Sequence, residues 1–148
     1  MPSASYAFNN LIEIEIMGGS GEFDNGSTEA DIETGQFGTS YTRYFTALET
    51  TDSPYGAREF LQHPSYLAVG LESQAMDITV NGVPMSMELT EATFTIDGMY
   101  YFEGGTGIGA TLESVSGEEE SKIGGVTVDK DEITESALTF SIDHYITD

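Results

Sequence analysis

The chain contains no cysteine, which removes disulfides, thiolate zinc sites and a cysteine nucleophile together and leaves the redox compartment open. Cations are almost as scarce. Arg43, Arg58, Lys122 and Lys130 stand against 26 acidic residues, for a formal net charge of −22. A surface of that sign repels nucleic acid and anionic membrane, so neither is expected as a partner. With only two histidines, His63 and His144, ligation of a metal by several imidazoles is nearly excluded, and a serine triad would have to use one of the two. No apolar run approaches the length of a membrane-spanning helix. Met1-Pro-Ser-Ala-Ser-Tyr6 has neither the basic region nor the apolar stretch of an intact signal peptide. The expectation is a cytoplasmic protein, although a mature secreted form would read the same way.

What is present argues for a folded chain. Hydrophobic residues make up 39% and aromatics 11% of 148 residues, enough to fill one core where an acidic disordered chain would have too little. The length fits a single domain over residues 1–148, one barrel or one sandwich. The acid excess also suits a protein kept soluble in concentrated salt, where screening weakens self-repulsion, so a halophilic or marine source is expected.

Period-two alternation runs through the chain. Ile12, Ile14 and Ile16 alternate with Glu13 and Glu15; Tyr41, Arg43 and Phe45 alternate with Thr42 and Tyr44; Met76, Ile78 and Val80 alternate with Asp77 and Thr79. Each pattern marks a half-buried strand. Asn81-Gly82 and Asp97-Gly98 read as two-residue hairpin turns. Further strands are expected at Met85–Leu89, Met99–Glu103, Thr111–Ser116, Ile123–Val128 and Ala137–Tyr145, while Gly18–Asn25 and the acidic Ser116–Ser121 read as loops. Eight or nine short strands at this spacing predict an all-β fold, a single antiparallel eight-stranded barrel in preference to a sandwich. One short helix between strands is expected at Gly56–Gln62, stopped by Pro64.

The segment Phe102-Glu-Gly-Gly-Thr-Gly-Ile-Gly-Ala-Thr-Leu-Glu-Ser-Val-Ser-Gly117 is dense in glycine, but no helix pattern or lysine follows to hold a phosphate. The glycines instead suit a tight turn or bulge between antiparallel strands. With the strand before it, from about Thr93 to Gly117, this segment resembles the signature hairpin of the dirigent and allene oxide cyclase barrels. Gly21-Glu-Phe-Asp24 and Gly38-Thr-Ser40 further resemble bacterial spirotetronate cyclases, which close polyketide rings by cycloaddition. Ile108 departs from the dirigent pattern, which often carries a basic residue there.

The resemblance implies an apolar pocket in which a linear polyketide- or oxylipin-like precursor is folded for ring closure, a largely conformational catalysis needing no obligatory acid or base. On that reading Tyr41, Arg43, Tyr101 and His144 orient or polarise a carbonyl, and Met76, Met85, Met87, Phe94 and Phe140 shape the cavity. No metal and no cofactor are expected, and homo-oligomers, dimers first, are implied by the relatives resembled. The residues leave alternatives open. Arg43 either meets an acidic partner or ligand inside a barrel or stacks on aromatics at a surface or interface. His63 suits a surface or capping role beside Pro64, and His144 either points into a barrel mouth or sits exposed at the C-terminal rim. The methionines fill a core or line an adaptable pocket. Asp24–Glu29 lacks the spacing of a calcium loop. Two other functions therefore stand beside the cyclase: a noncatalytic small-ligand-binding barrel, and a structural or assembly protein adapted to salt.

Overall fold

The computed structural model describes residues 7–24, 26, 28–49, 63–103 and 105–144. They form one antiparallel sheet of six strands in sequence order: β1 (Ala7–Asp24), β2 (Glu29–Glu49), β3 (Tyr66–Val80), β4 (Met85–Tyr101), β5 (Thr106–Ile123) and β6 (Val126–His144). The all-β antiparallel class follows from the alternation. The strands, at 15 to 21 residues, are far longer than the usual five or six.

The expected eight or nine short strands become six because several apparent breaks lie inside strands. Asp97-Gly98 is not a turn but the interior of β4, where Asp97 accepts hydrogen bonds from the Tyr66 hydroxyl (2.6 Å) and the Thr111 hydroxyl (2.6 Å) on the two flanking strands. Cross-strand bonds of that kind override the local turn preference of Asp-Gly. Gly18–Asp24 continues β1, paired residue by residue with β2, instead of forming a loop. Ser116–Ser121 lies within β5, where Lys122 and Lys130 pair with Glu118 and Glu120 from neighbouring positions. The connection between β3 and β4 takes four residues, Asn81–Pro84, not two, with Val80 paired to Met85. Pro84 has no N–H to give to a ladder and cannot serve as a paired strand residue there. The two-residue hairpin is instead Gly124-Gly125, between Ile123 and Val126, with φ of 61° and 78°; both turn residues need the left-handed region, which glycine enters at little cost. The expected helix at Gly56–Gln62 lies outside the described residues.

The sheet is open. The backbone of each strand lies only against its sequence neighbours, and among the described residues nothing joins β1 to β6 or lays one part of the sheet over another. A single layer leaves little interior: Ala30 and Tyr44 are the only buried hydrophobic residues described. The accessible surface is 10414 Å², against about 7,400 Å² expected for a compact monomer of 16.0 kDa. The excess is about 3,000 Å².

Close approach constrains the sheet where a glycine meets neighbouring backbone. A Cβ on Gly117 would lie 2.5 Å from the Thr90 carbonyl oxygen, whereas one on Gly21 would meet nothing within 4 Å. Gly117→Ala should lower stability by about 1–3 kcal/mol, and Gly21→Ala should stay within about 0.5 kcal/mol of the parent. Urea denaturation of both variants checks this; equal midpoints would show that β5 approaches β4 less closely at this position.

Candidate functional site

Antiparallel partners share a face, so the register sorts every side chain. Two ends serve as reference: the near end, at the Phe102–Thr106 hairpin, and the far end, at the Asn81–Pro84 and Gly124-Gly125 turns. The front face carries Ile12, Ile14 and Ile16 of β1. One transverse row across it reads Ile12, Tyr41, Val69, Ile96, Leu112 and Leu138; the next reads Ile14, Thr39, Leu71, Phe94, Ser114 and Ser136. From the row of Arg43 and Phe140 to that of Ile16 and Phe37, the front face carries no carboxylate at all, in a chain with 26. The carboxylates of the same stretch, among them Glu13, Glu15, Glu72 and Glu113, point to the back. Several of the front-face side chains are far out in solvent: Ile14 is 68%, Phe140 76% and Ile142 82% exposed. A depression of about 260 Å³ lined by Ile12, Tyr41, Val69, Leu71 and Phe94 sits at the centre.

Toward the far end the front face turns charged, with Glu33, Asp77, Glu88, Glu120 and Lys130 in a single row. Lys122 bridges Glu88 (2.5 Å) and Glu120 (3.6 Å), and Lys130 bridges Glu118 (2.9 Å) and Glu120 (3.3 Å). Hydrogen bonding to Lys130 holds the Glu120 carboxyl below the ordinary carboxylate range. The hydrogen bond to Glu88 raises the Lys122 ammonium above the ordinary lysine range, and that to Glu118 does the same for Lys130. On the back face the distribution reverses. Phe23, Ala30, Val80, Met85 and Ile123 share its far-end row, backed by Ile32, Ile78 and Met87.

The near end of the back face holds the densest polar packing. Tyr66 and Thr111 converge on Asp97, as described, and the Tyr101 hydroxyl donates to Asp143 at 2.8 Å. Tyr101 spans two strands to do so, because its ring lies over Gly107, where a Cβ would come within 2.6 Å of it. Its backbone N–H donates to the Ser65 hydroxyl at 2.8 Å, and the His63 ring meets it edge-on at 5.5 Å. Tyr44, 2% exposed, packs edge-on against Tyr66 at 6.4 Å. Gly107 thus serves as a floor for an aromatic ring. Among the described residues no three imidazole or carboxylate groups are placed to hold a metal ion, and no helix is long and apolar enough to cross a membrane.

The residues singled out from sequence do not gather in one place. Tyr41 and Arg43 stand on the front face of β2, and His144 on the front face of β6, four strand spacings across and two to three rows along, about 23–28 Å away. Tyr101 is on the back. Tyr41 donates to Asn10 at 2.7 Å, and His144, exposed at the end of β6, lies 3.0 Å from the Thr106 hydroxyl through Nδ1. Phe94 and Phe140 belong to the front apolar region, while Met76, Met85 and Met87 belong to the back one at the opposite end. Tyr66, Asp97 and Asp143 were not singled out. Asp97 is masked by its turn-like glycine; the signal that exposes it is a tyrosine or threonine at alternating positions of strands that pair with it.

Asp97→Ala should cost about 2 kcal/mol or more by leaving two hydroxyls without their shared acceptor, and Tyr101→Phe about 1 kcal/mol, read by urea denaturation; an unchanged Asp97→Ala midpoint would mean that water replaces the carboxylate fully. The far-end ion pairs predict a pH signature. The depressed Glu120 contributes above the ordinary carboxylate value and loses its contribution as acid takes it through its folded value; the raised Lys130 contributes below the ordinary lysine value and loses it in strong base. The melting difference between the parent and Lys130→Met should therefore be small, flat through neutral pH, and close at both extremes; a difference that grows in acid would refute the assignment. No protein-family model, curated protein or solved structure gives a significant match to the chain.

Proposed function

We propose that this protein is a structural or assembly module, a β-layer that completes its core against other protein chains. One observation carries the reading: apolar side chains occupy opposite faces at opposite ends of the same sheet, Ile14 and Phe140 on the front at the near end and Met85 and Ile78 on the back at the far end. A meander of six strands leaves β1 and β6 antiparallel, so the sheet can in principle close into a barrel through them. Closure encloses one face and turns the other outward. Whichever way the sheet curls, one apolar region remains on the outside, and covering it calls for a second protein surface.

A second reading is favoured by the Tyr66–Asp97–Thr111 and Tyr101–Asp143 bonds at the near end of the back face. Closed with that face inward, the sheet would present oriented hydroxyls to an apolar linear precursor, as in the allene oxide cyclase and dirigent barrels that the Gly104-Gly105-Thr106-Gly107 hairpin resembles. That reading makes the chain a ring-closing cyclase or a carrier of the same ligand class.

Sedimentation velocity separates the two. An assembly module should sediment as a species larger than 16.0 kDa at micromolar concentration without added ligand, more completely in molar salt that screens the net charge of −22. A compact monomer at every salt concentration, with a melting temperature raised saturably by an apolar polyene or oxylipin acid, would overturn it in favour of the enclosed pocket.

A further inference from the structure

We infer that the carboxylate-free half of the front face is a two-fold interface with a second copy of this chain, an arrangement that rests on the assembly reading above and specifies it. The region spans six strands at about 4.8 Å and roughly 26 Å along them, or 600–700 Å² per copy. Two copies bury about 1,300 Å², within the range of stable specific interfaces. It is depleted of charge, with Ile, Leu, Val, Phe and Tyr side chains around a depression on β1–β4 and with serine and threonine among them toward β5 and β6.

Charge decides both the occupant and the geometry. The far half of the same face is a row of Glu33, Asp77, Glu88 and Glu120 with Lys130. A two-fold axis running along the strands would lay that row on its own copy, carboxylate over carboxylate. An axis in the interface plane but across the strands, passing through the row of Ile14, Thr39 and Phe94, superposes the three rows of Ile12, Ile14 and Ile16 on one another, lays the row of Arg43 and Phe140 over that of Gly35, Glu118 and Glu132, and sends the row of Glu33 outward in opposite directions. The same axis places β2 over β2 of the second copy. Arg43, exposed and in no ion pair among the described residues, then lies above Gly35 of the second copy, one row, about 6–7 Å, from that copy's Glu33. The chain thus supplies the acid that its own isolated front-face cation lacks, twice per dimer. The opposite-sign contact at the rim fixes the stagger and contributes little on its own.

The test uses the full chain in 0.1 M and 2 M NaCl, measured by sedimentation equilibrium. Ile14→Glu should raise the dimer dissociation constant at least tenfold without loss of far-ultraviolet β signal or melting cooperativity, because Ile14 is already exposed in the single chain. Met87→Glu, on the back face at the other end, should leave that constant within about threefold, as a substitution outside the interface does. Arg43→Glu should weaken dimerisation, and Arg43→Glu combined with Glu33→Arg should restore it. If Met87→Glu abolishes association and Ile14→Glu does not, the front-face interface is overturned while the assembly reading survives. Failure of the charge-reversed pair to recover affinity, with Ile14→Glu still effective, overturns the cross-strand axis. A parent that stays monomeric in both salts overturns interface and assembly reading together.

Discussion

A β-strand sends alternate side chains to opposite faces, and a sheet one layer thick has nothing of its own to place against either. That constraint governs this molecule. In a sandwich or barrel the apolar alternate positions meet a second layer about 10 Å away; here Ile12, Ile14 and Ile16 point into solvent although their pattern is that of a buried strand face. Backbone hydrogen bonding along six long strands is fully compatible with such a layer, but the hydrophobic contribution that makes a fold stable comes from covering its faces. The stability of this chain is therefore tied to what covers the sheet, more than to any pair of residues within it.

The alternation made the fold class legible. Residues 12–16, 41–45 and 76–80 each announce a strand, and each is one. Strand ends were less readable, because a glycine beside an acidic residue means a turn in isolation and something else when neighbours supply bonds. Asp97 shows this: its two acceptor bonds come from residues 31 positions before and 14 positions after it, beyond the reach of any local rule. The Gly124-Gly125 hairpin is the converse, a purely local device. The dispersal of Tyr41, Arg43, Tyr101 and His144 has a different origin. Which face a residue occupies is parity along its own strand, but whether two strands agree in parity depends on register, and register is fixed by pairing across the sheet.

Electrostatics shapes the sheet on two scales. The net charge of −22 opposes compaction and association generally, and salt relieves it. Locally the acids are segregated, leaving one region clear of carboxylate and gathering Glu88, Glu118 and Glu120 around Lys122 and Lys130. Two of the chain's four cations are thus committed to holding β4, β5 and β6 together at the end where like charges on adjacent strands would otherwise push them apart. These pairs are surface pairs and individually modest. Their value lies in permitting a strand as acidic as β5 to remain a strand.

The backbone pairing, in which every strand lies only beside its neighbours in sequence, makes the sheet a one-dimensional array. Order can spread from one hairpin to the next as a zipper does, with no distant segment needed to complete a nucleus, as in repeat proteins. The tight Gly124-Gly125 hairpin closes the shortest loop in the sheet. A chain of this kind acquires its edges in sequence. During synthesis from the N-terminus β1 is available first, and the apolar row from Ile12 to Leu138 that crosses the whole layer is complete only when β6 has been added last.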